Sequence, residues 1–238
     1  MLKTETIEYK QGDVICEGHA VYDDAGGKRP GVVIVPEWVG VGDYTKKRAQ
    51  MLAELGFNAF VADVYGKGIR PTSMEACAAE MGKYMSNRPL LRARMQAALG
   101  ELRKLPNTDA GKLAAMGYCF GGSASLELAR DGADVKGVIS FHGGLDSPTP
   151  QDAKNIKCKV LALHGADDPV VPEEQVLAFQ KEMRDAKVDW QFVAYGNAVH
   201  TFTNWNMPED APGPAAYNKK ADQRSWIAMQ NFFKEIFA

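Results

Sequence analysis

The feature that constrains this chain most is a set of glycines around one cysteine, Gly117-Tyr118-Cys119-Phe120-Gly121-Gly122, lying between an apolar run and a helix-forming one. Leu113 to Met116 has the length and composition of a strand buried on both faces. Ser123 to Arg130 reads as a helix, with Ala124, Leu126, Leu128 and Ala129 available for packing. Glycines on both sides of one residue, between a strand and a helix, describe a nucleophile elbow, here with cysteine where serine is usual. The turn is sharp and the helix must start almost against the strand, which is why glycine is needed. Such a turn lifts the Cys119 side chain to the top of the sheet. It also sets the sulfur at a helix N-terminus, where the dipole favours thiolate. Two plainer readings compete: buried cysteines often only fill space, and glycine-rich turns can cradle phosphate, although the spacing G-x-G-x-x-G is absent.

The rest of the chain alternates strands and helices. Thr4 to Tyr9 and Val14 to Tyr22 form an opening antiparallel hairpin, and a polar turn runs through Pro30. Gly31 to Val35 is a β-branched run without alternation, as a central strand requires. Pro36 ends it, and Glu37 to Gly42 is a loop. Asp43 caps a helix to about Leu55 that buries Met51, Leu52 and Leu55 and stops at Gly56. Asn58 to Ala62 is a strand, followed by a loop to Thr72 and helices over Ser73–Met85 and Pro89–Leu105.

Beyond the elbow come strands at Lys136–His142 and Lys159–His164, a helix at Glu173–Ala186 and a strand at Asp189–Tyr195. Asn197 to Ala221 lacks periodicity and is too long for a mere connector. A closing helix, Ala221–Phe237, carries Trp226, Ile227, Phe233 and Ile236 on or near one face. The pattern predicts one α/β domain over residues 1–238, a mostly parallel twisted sheet with helices on both faces. Its ligand site belongs at the carboxyl ends of the strands.

Charge and composition exclude several classes. A net charge of −2 gives no electrostatic reason to bind nucleic acid or an anionic membrane. No apolar run approaches the ~20 residues of a membrane helix, and Met1 to Lys10 lacks a signal peptide's apolar core. Cys16, Cys77, Cys119 and Cys158 have no metal-like spacing, so free thiols and a cytoplasmic location are expected.

Two further residues stand at strand ends. Asp168 follows a strand in Gly165-Ala-Asp167-Asp168-Pro169, where the proline fixes the turn; Asp167 is the neighbouring alternative. His200 lies beyond the next strand in Gly196-Asn-Ala-Val-His200-Thr-Phe202. Nucleophile, acid, histidine is the chain order of α/β-hydrolases. With Pro36-Glu37 after the third strand, these motifs resemble the dienelactone hydrolase family over nearly the whole chain. The resemblance implies an α/β-hydrolase fold and a Cys119-His200-Asp168 hydrolase acting on lactones or activated esters, without metal or cofactor. It also implies that Glu37 hydrogen-bonds the resting thiol and helps form the thiolate.

In the mechanism that follows, the Cys119 thiolate attacks the carbonyl, His200 is the base and Asp168 holds its tautomer. The backbone N–H groups of Phe120 and Trp38 stabilise the oxyanion. Family members that cleave dienelactone hold the substrate carboxylate with arginines, one shortly after the histidine. Here Thr201-Phe-Thr-Asn204 follows instead. Lys83 is the cation of Glu75–Asn87, and Arg88 and Arg92 read as solvated helix charges. Trp38, Tyr65, Phe141, Phe202, Asn204 and Trp205 are the candidate lining of a pocket for an uncharged ester or lactone, the small-molecule partner expected of a monomer or weak homodimer. Alternatives are a thioesterase or acyltransferase with the same three residues, a non-catalytic ligand-binding relative, and a thiol redox sensor at Cys119.

Overall fold

The computed structural model describes residues 1–238. Eight strands follow the order β1-β2-β4-β3-β5-β6-β7-β8 in a mostly parallel sheet accompanied by helices, an α/β fold. Two compact units can be distinguished, Met1–Met116 and Gly117–Ala238.

In the first unit, β1 (Leu2–Gln11) and β2 (Val14–Asp23) are the expected hairpin, registered Gln11 to Val14 around Gly12 at φ +56°. Strand β3 (Arg29–Val35) pairs in parallel with β4 (Asn58–Val61). Val32 to Val35 and Ala59 to Val61 are wholly buried, as a run without alternation demands. Helix α1 (Asp43–Glu54) joins them, α2 is Met74–Met85 and α3 is Arg88–Lys104. The apolar stripe of α3, Leu91, Met95, Ala98, Leu99 and Leu102, keeps helical spacing and is fully buried. Each such leucine contributes roughly 1.5–3 kcal/mol.

Two details differ from the sequence reading. The N-cap of α1 is Gly42, and Asp43 is its first helical residue. Tyr44, Thr45, Arg48, Ala49, Leu52 and Ala53 form its buried face, while Leu55 is 44% exposed. Gly56 at φ +97° ends the helix at once, and Leu55 is left outside the packed stripe.

Strand β5 (Thr108–Tyr118) extends well beyond its apolar run at both ends. In the second unit α4 spans Phe120–Arg130, starting three residues earlier than the propensity of Gly121 and Gly122 suggests. Every residue of α4 is buried, so packing overrides the cost of glycine. Strands β6 (Gly137–Phe141), β7 (Lys159–Gly165) and β8 (Trp190–Tyr195) pair in parallel. Helices α5 (Glu173–Asp185) and α6 (Lys219–Ile236) complete the unit, with a short 3₁₀ helix at Pro150–Asn155 that the sequence reading lacks. Helix α6 buries Ala221, Ser225, Met229, Phe232 and Phe233, whereas Ile227 is 56% exposed, on the side of the helix opposite that buried face.

One charged cluster is wholly internal to this unit. Arg130 donates to both oxygens of Glu182, at 2.8 and 2.7 Å, and to Glu127 at 3.0 Å. Its guanidinium also reaches the carbonyls of Leu145 and Asp146 at 3.4 Å. The carboxylates outweigh the cost of burial and hold Arg130 firmly protonated.

Candidate active site

The site is built from the ends of β5, β6, β7 and β8. Cys119 is the first residue past β5 and the N-cap of α4, at φ +54° and ψ −117°. A left-handed backbone at a residue with a side chain is imposed by its surroundings. A Cβ on Gly117 would lie 2.0 Å from the Gly121 carbonyl oxygen, and one on Gly122 would lie 2.5 Å from Ser140 Oγ and 2.9 Å from the Cα of Gly143. Strand end and helix start therefore approach more closely than any side chain allows.

This backbone presents Cys119, the one cysteine of the four that is not buried. Its Sγ lies 3.1 Å from His200 Nε2, and His200 Nδ1 lies 2.8 Å from Asp168 Oδ2. The other Asp168 oxygen accepts the Val170 N–H at 2.8 Å, which orients the carboxylate toward the ring. Asp167 is exposed, and its contact is a backbone N–H given to the Ala198 carbonyl. Of the adjacent pair, Asp168 meets the histidine.

Burial alone would lower the pKa of His200. The hydrogen bonds to Asp168 and Cys119 overcome it and push the imidazole up to about 10. The three residues thus favour a charged His200 at neutral pH. Elsewhere burial makes thiols inert: it pushes Cys158 up to about 12 and also raises Cys16 and Cys77.

His200 sits in the long segment after β8, whose backbone folds back on itself. Its N–H donates to the Pro214 carbonyl, and its carbonyl accepts the Ala216 N–H. Thr201 beside it has φ +58°. Phe141 and Phe202 are buried, Phe141 stacked on Tyr118 at 4.8 Å and Phe202 between His142 and Tyr195. Asn204 and Trp205 are half-buried. Phe120, immediately after Cys119, opens α4.

The remaining expected residues belong to the first unit. Glu37 and Trp38 follow β3; Glu37 is buried rather than solvated, and the Trp38 carbonyl accepts the Tyr65 hydroxyl at 2.9 Å. Arg88 is also buried, not a solvated helix charge, with its guanidinium 3.3 Å from Met85 Sδ. Lys83 is exposed and paired with Glu80 at 2.6 Å.

The sequence reading passed over His142, whose Nδ1 lies 3.1 Å from the Cys119 backbone nitrogen. The signal available was a histidine directly at the end of β6, before Gly143-Gly144. No three or more His, Cys, Asp or Glu side chains are grouped to hold a metal ion. No helix is long and apolar enough to cross a membrane.

An α/β sheet with a cysteine on a strand-to-helix elbow, backed by histidine and aspartate from later strand ends, is the arrangement of an α/β-hydrolase. The chain belongs to the dienelactone hydrolase family, whose model matches residues 17–237, and is accordingly a hydrolase. Among solved structures it is similar to m3DLH, 42% identical with TM-score 0.95 over 100% of this chain and 99% of that one. A dienelactone hydrolase-like promiscuous phosphotriesterase from metagenomic libraries is 40% identical, with TM-score 0.92 over 99% and 98% of the two chains. A protein of Escherichia coli, named provisionally as a carboxymethylenebutenolidase, is 23% identical over 94% of this chain and 84% of its own length.

Proposed function

We propose that the protein hydrolyses lactones or carboxylic esters through a thioester on Cys119. The observation that carries this reading is the continuous hydrogen-bonded line from Cys119 Sγ through His200 to Asp168, at 3.1 and 2.8 Å. The Cys119 thiolate adds to the carbonyl carbon, and the tetrahedral oxyanion is held by the Phe120 N–H, with the Trp38 N–H as second donor. Collapse breaks the bond to the alkoxide, which takes its proton from the His200 imidazolium. In a lactone the alcohol stays tethered to the acyl group. Neutral His200 then removes a proton from water, which attacks the thioester and returns the thiolate–imidazolium pair. Asp168 keeps Nδ1 protonated throughout and Nε2 aimed at the sulfur.

Family resemblance assigns Glu37 to activation of the thiol. Glu37→Gln should then alter both the pH dependence of Cys119 alkylation and the turnover rate; unchanged values for both would remove the assignment.

The acid part of the substrate is uncharged in this reading. Asn204 stands where an arginine would meet a carboxylate, and an amide cannot supply a charge-assisted bidentate partner. That loss is worth roughly 1.5–3 kcal/mol, about ten- to a hundredfold in binding. The test is kcat/KM for a carboxylate-bearing lactone beside its methyl ester, in wild type, Cys119→Ala and Asn204→Arg. Strong wild-type preference for the anion would sink the uncharged-substrate reading. A phosphate triester belongs in the same panel, because the 40% identical neighbour is named for that activity.

A further inference from the structure

We infer that His142 is a positioning residue that sets the separation of Cys119 and His200 by bonding to both of their segments at once. The inference rests on the reading of these two as nucleophile and base.

His142 follows β6, is fully buried and has φ +39°, a conformation that a side-chain-bearing residue adopts only when its surroundings impose it. Its own N–H is tied to the Leu163 carbonyl on β7 at 2.8 Å. Nδ1 lies 3.1 Å from the Cys119 nitrogen, whose N–H also reaches the Phe141 carbonyl at 3.0 Å. A ring nitrogen that accepts a hydrogen bond carries no proton, so a neutral imidazole here bears its proton on Nε2. That nitrogen is 2.8 Å from Thr203 Oγ1, so the threonine is the acceptor.

Thr203 is fully buried three residues after His200, in a turn closed by the Asn204 N–H on the Thr201 carbonyl at 2.9 Å. The His142 ring also lies edge-on to His200, centroids 5.5 Å apart, and edge-on to Phe202 at 5.1 Å. One rigid ring therefore runs from the peptide of the thiol-bearing residue to the turn that carries the base. Backbone strain at Cys119, His142 and Thr201 lies on the segments that it joins. Proton exchange between Sγ and Nε2 needs a separation of about 2.6–3.2 Å. Neither segment fixes that separation alone.

The chemistry of the bridge selects the variants. Asparagine places its carbonyl oxygen near the position of Nδ1 and retains an acceptor for the Cys119 N–H, whereas leucine removes both bonds. In His142→Leu, kcat on p-nitrophenyl acetate should fall ~10²-fold with KM within about twofold, the scale of a 1 Å misplacement. The iodoacetamide rate at Cys119 should fall in parallel. His142→Asn should recover about tenfold of both losses. Thr203→Val is nearly isosteric and removes the hydroxyl that accepts Nε2–H; it should slow both reactions about tenfold. This variant decides the matter if the leucine variant does not fold.

Nitrogen-15 spectra of wild type at neutral pH should show His142 protonated on Nε2 and bare at Nδ1. A protonated Nδ1, equal losses in the leucine and asparagine variants, or unchanged rates in Thr203→Val would each overturn the proposal. A wild type without esterase turnover would remove the ester reading alone, because the tautomer and the alkylation rates still report on His142.

Discussion

Two groups of charged or ionisable side chains are buried in the second unit, and they are built on opposite plans. Around Arg130, a cation that does not titrate meets two glutamates and two carbonyls, and all four groups are fixed by contacts of 2.7–3.4 Å. Around Cys119, the cation forms only by proton transfer, the sulfur is partly exposed, and the backbone is left-handed at Cys119, His142 and Thr201. The first group binds α4 to α5 and to the residues after β6, and has nothing left to offer a ligand. The second keeps a reactive atom at the surface and holds strain of about 1–3 kcal/mol per residue. Complete satisfaction marks a structural cluster; a titratable pair on strained backbone marks a reactive one.

Several measurements can break or sharpen this contrast. Cys119→Ala should lower ester turnover on the order of 10⁶-fold, as loss of the nucleophile from such a unit does, with little change in the unfolding midpoint. Surviving turnover would place the chemistry elsewhere. Next in size, Asp168→Asn should cost up to ~10⁴-fold in kcat while Asp167→Asn stays near wild type; equal losses would contradict the orienting role of Asp168.

Arg130→Met reverses the pattern. It strands two buried carboxylates and should lower stability by about 3–5 kcal/mol in urea unfolding. In the folded fraction, alkylation of Cys119 should keep its wild-type rate, and a large drop would show that the two clusters are coupled.

The last measurement is in pH. The pKa of His200 is raised from its ordinary 6.5 to about 10, so its contribution to stability is fully present below about pH 6.5 and disappears as pH rises toward 10. A titration followed by imidazole NMR should find His200 charged well above pH 7 in wild type, with a lower pKa in Asp168→Asn. A wild-type midpoint near 6.5 would refute it.

What the sequence revealed follows the range of the forces involved. The elbow was legible because Gly117, Cys119 and Gly121-Gly122 are adjacent, and the hairpin and the α3 stripe because their periods are local. Asp168 and His200 were legible as polar residues at strand ends. The errors at Leu55 and Ile227 have one cause: helical period locates a stripe, but a single exposed leucine or isoleucine is cheap enough to sit outside it. The α4 start was hidden because glycine's weak propensity is overridden by burial. The Arg130–Glu182 pair and the His142–Thr203 pair span 52 and 61 residues, and no local pattern announces either.

The segment after β8 has a consequence for redesign. The backbone around His200 is fastened from within its own segment, to Pro214 and Ala216, while the Asn218 N–H donates to the Phe202 carbonyl and its side-chain amide donates to the Asn197 backbone carbonyl. Residues 208–210 and 212–214 between these staples are exposed. The turn bearing the histidine is thus anchored independently of how long the intervening tip is. Lengthening a flexible loop costs only about 0.6 kcal/mol per doubling, so this tip is a natural insertion point. A peptide or a small domain grafted between Asp210 and Pro214 would change what stands beside the histidine without moving the imidazole, which makes the segment a ready socket for engineering.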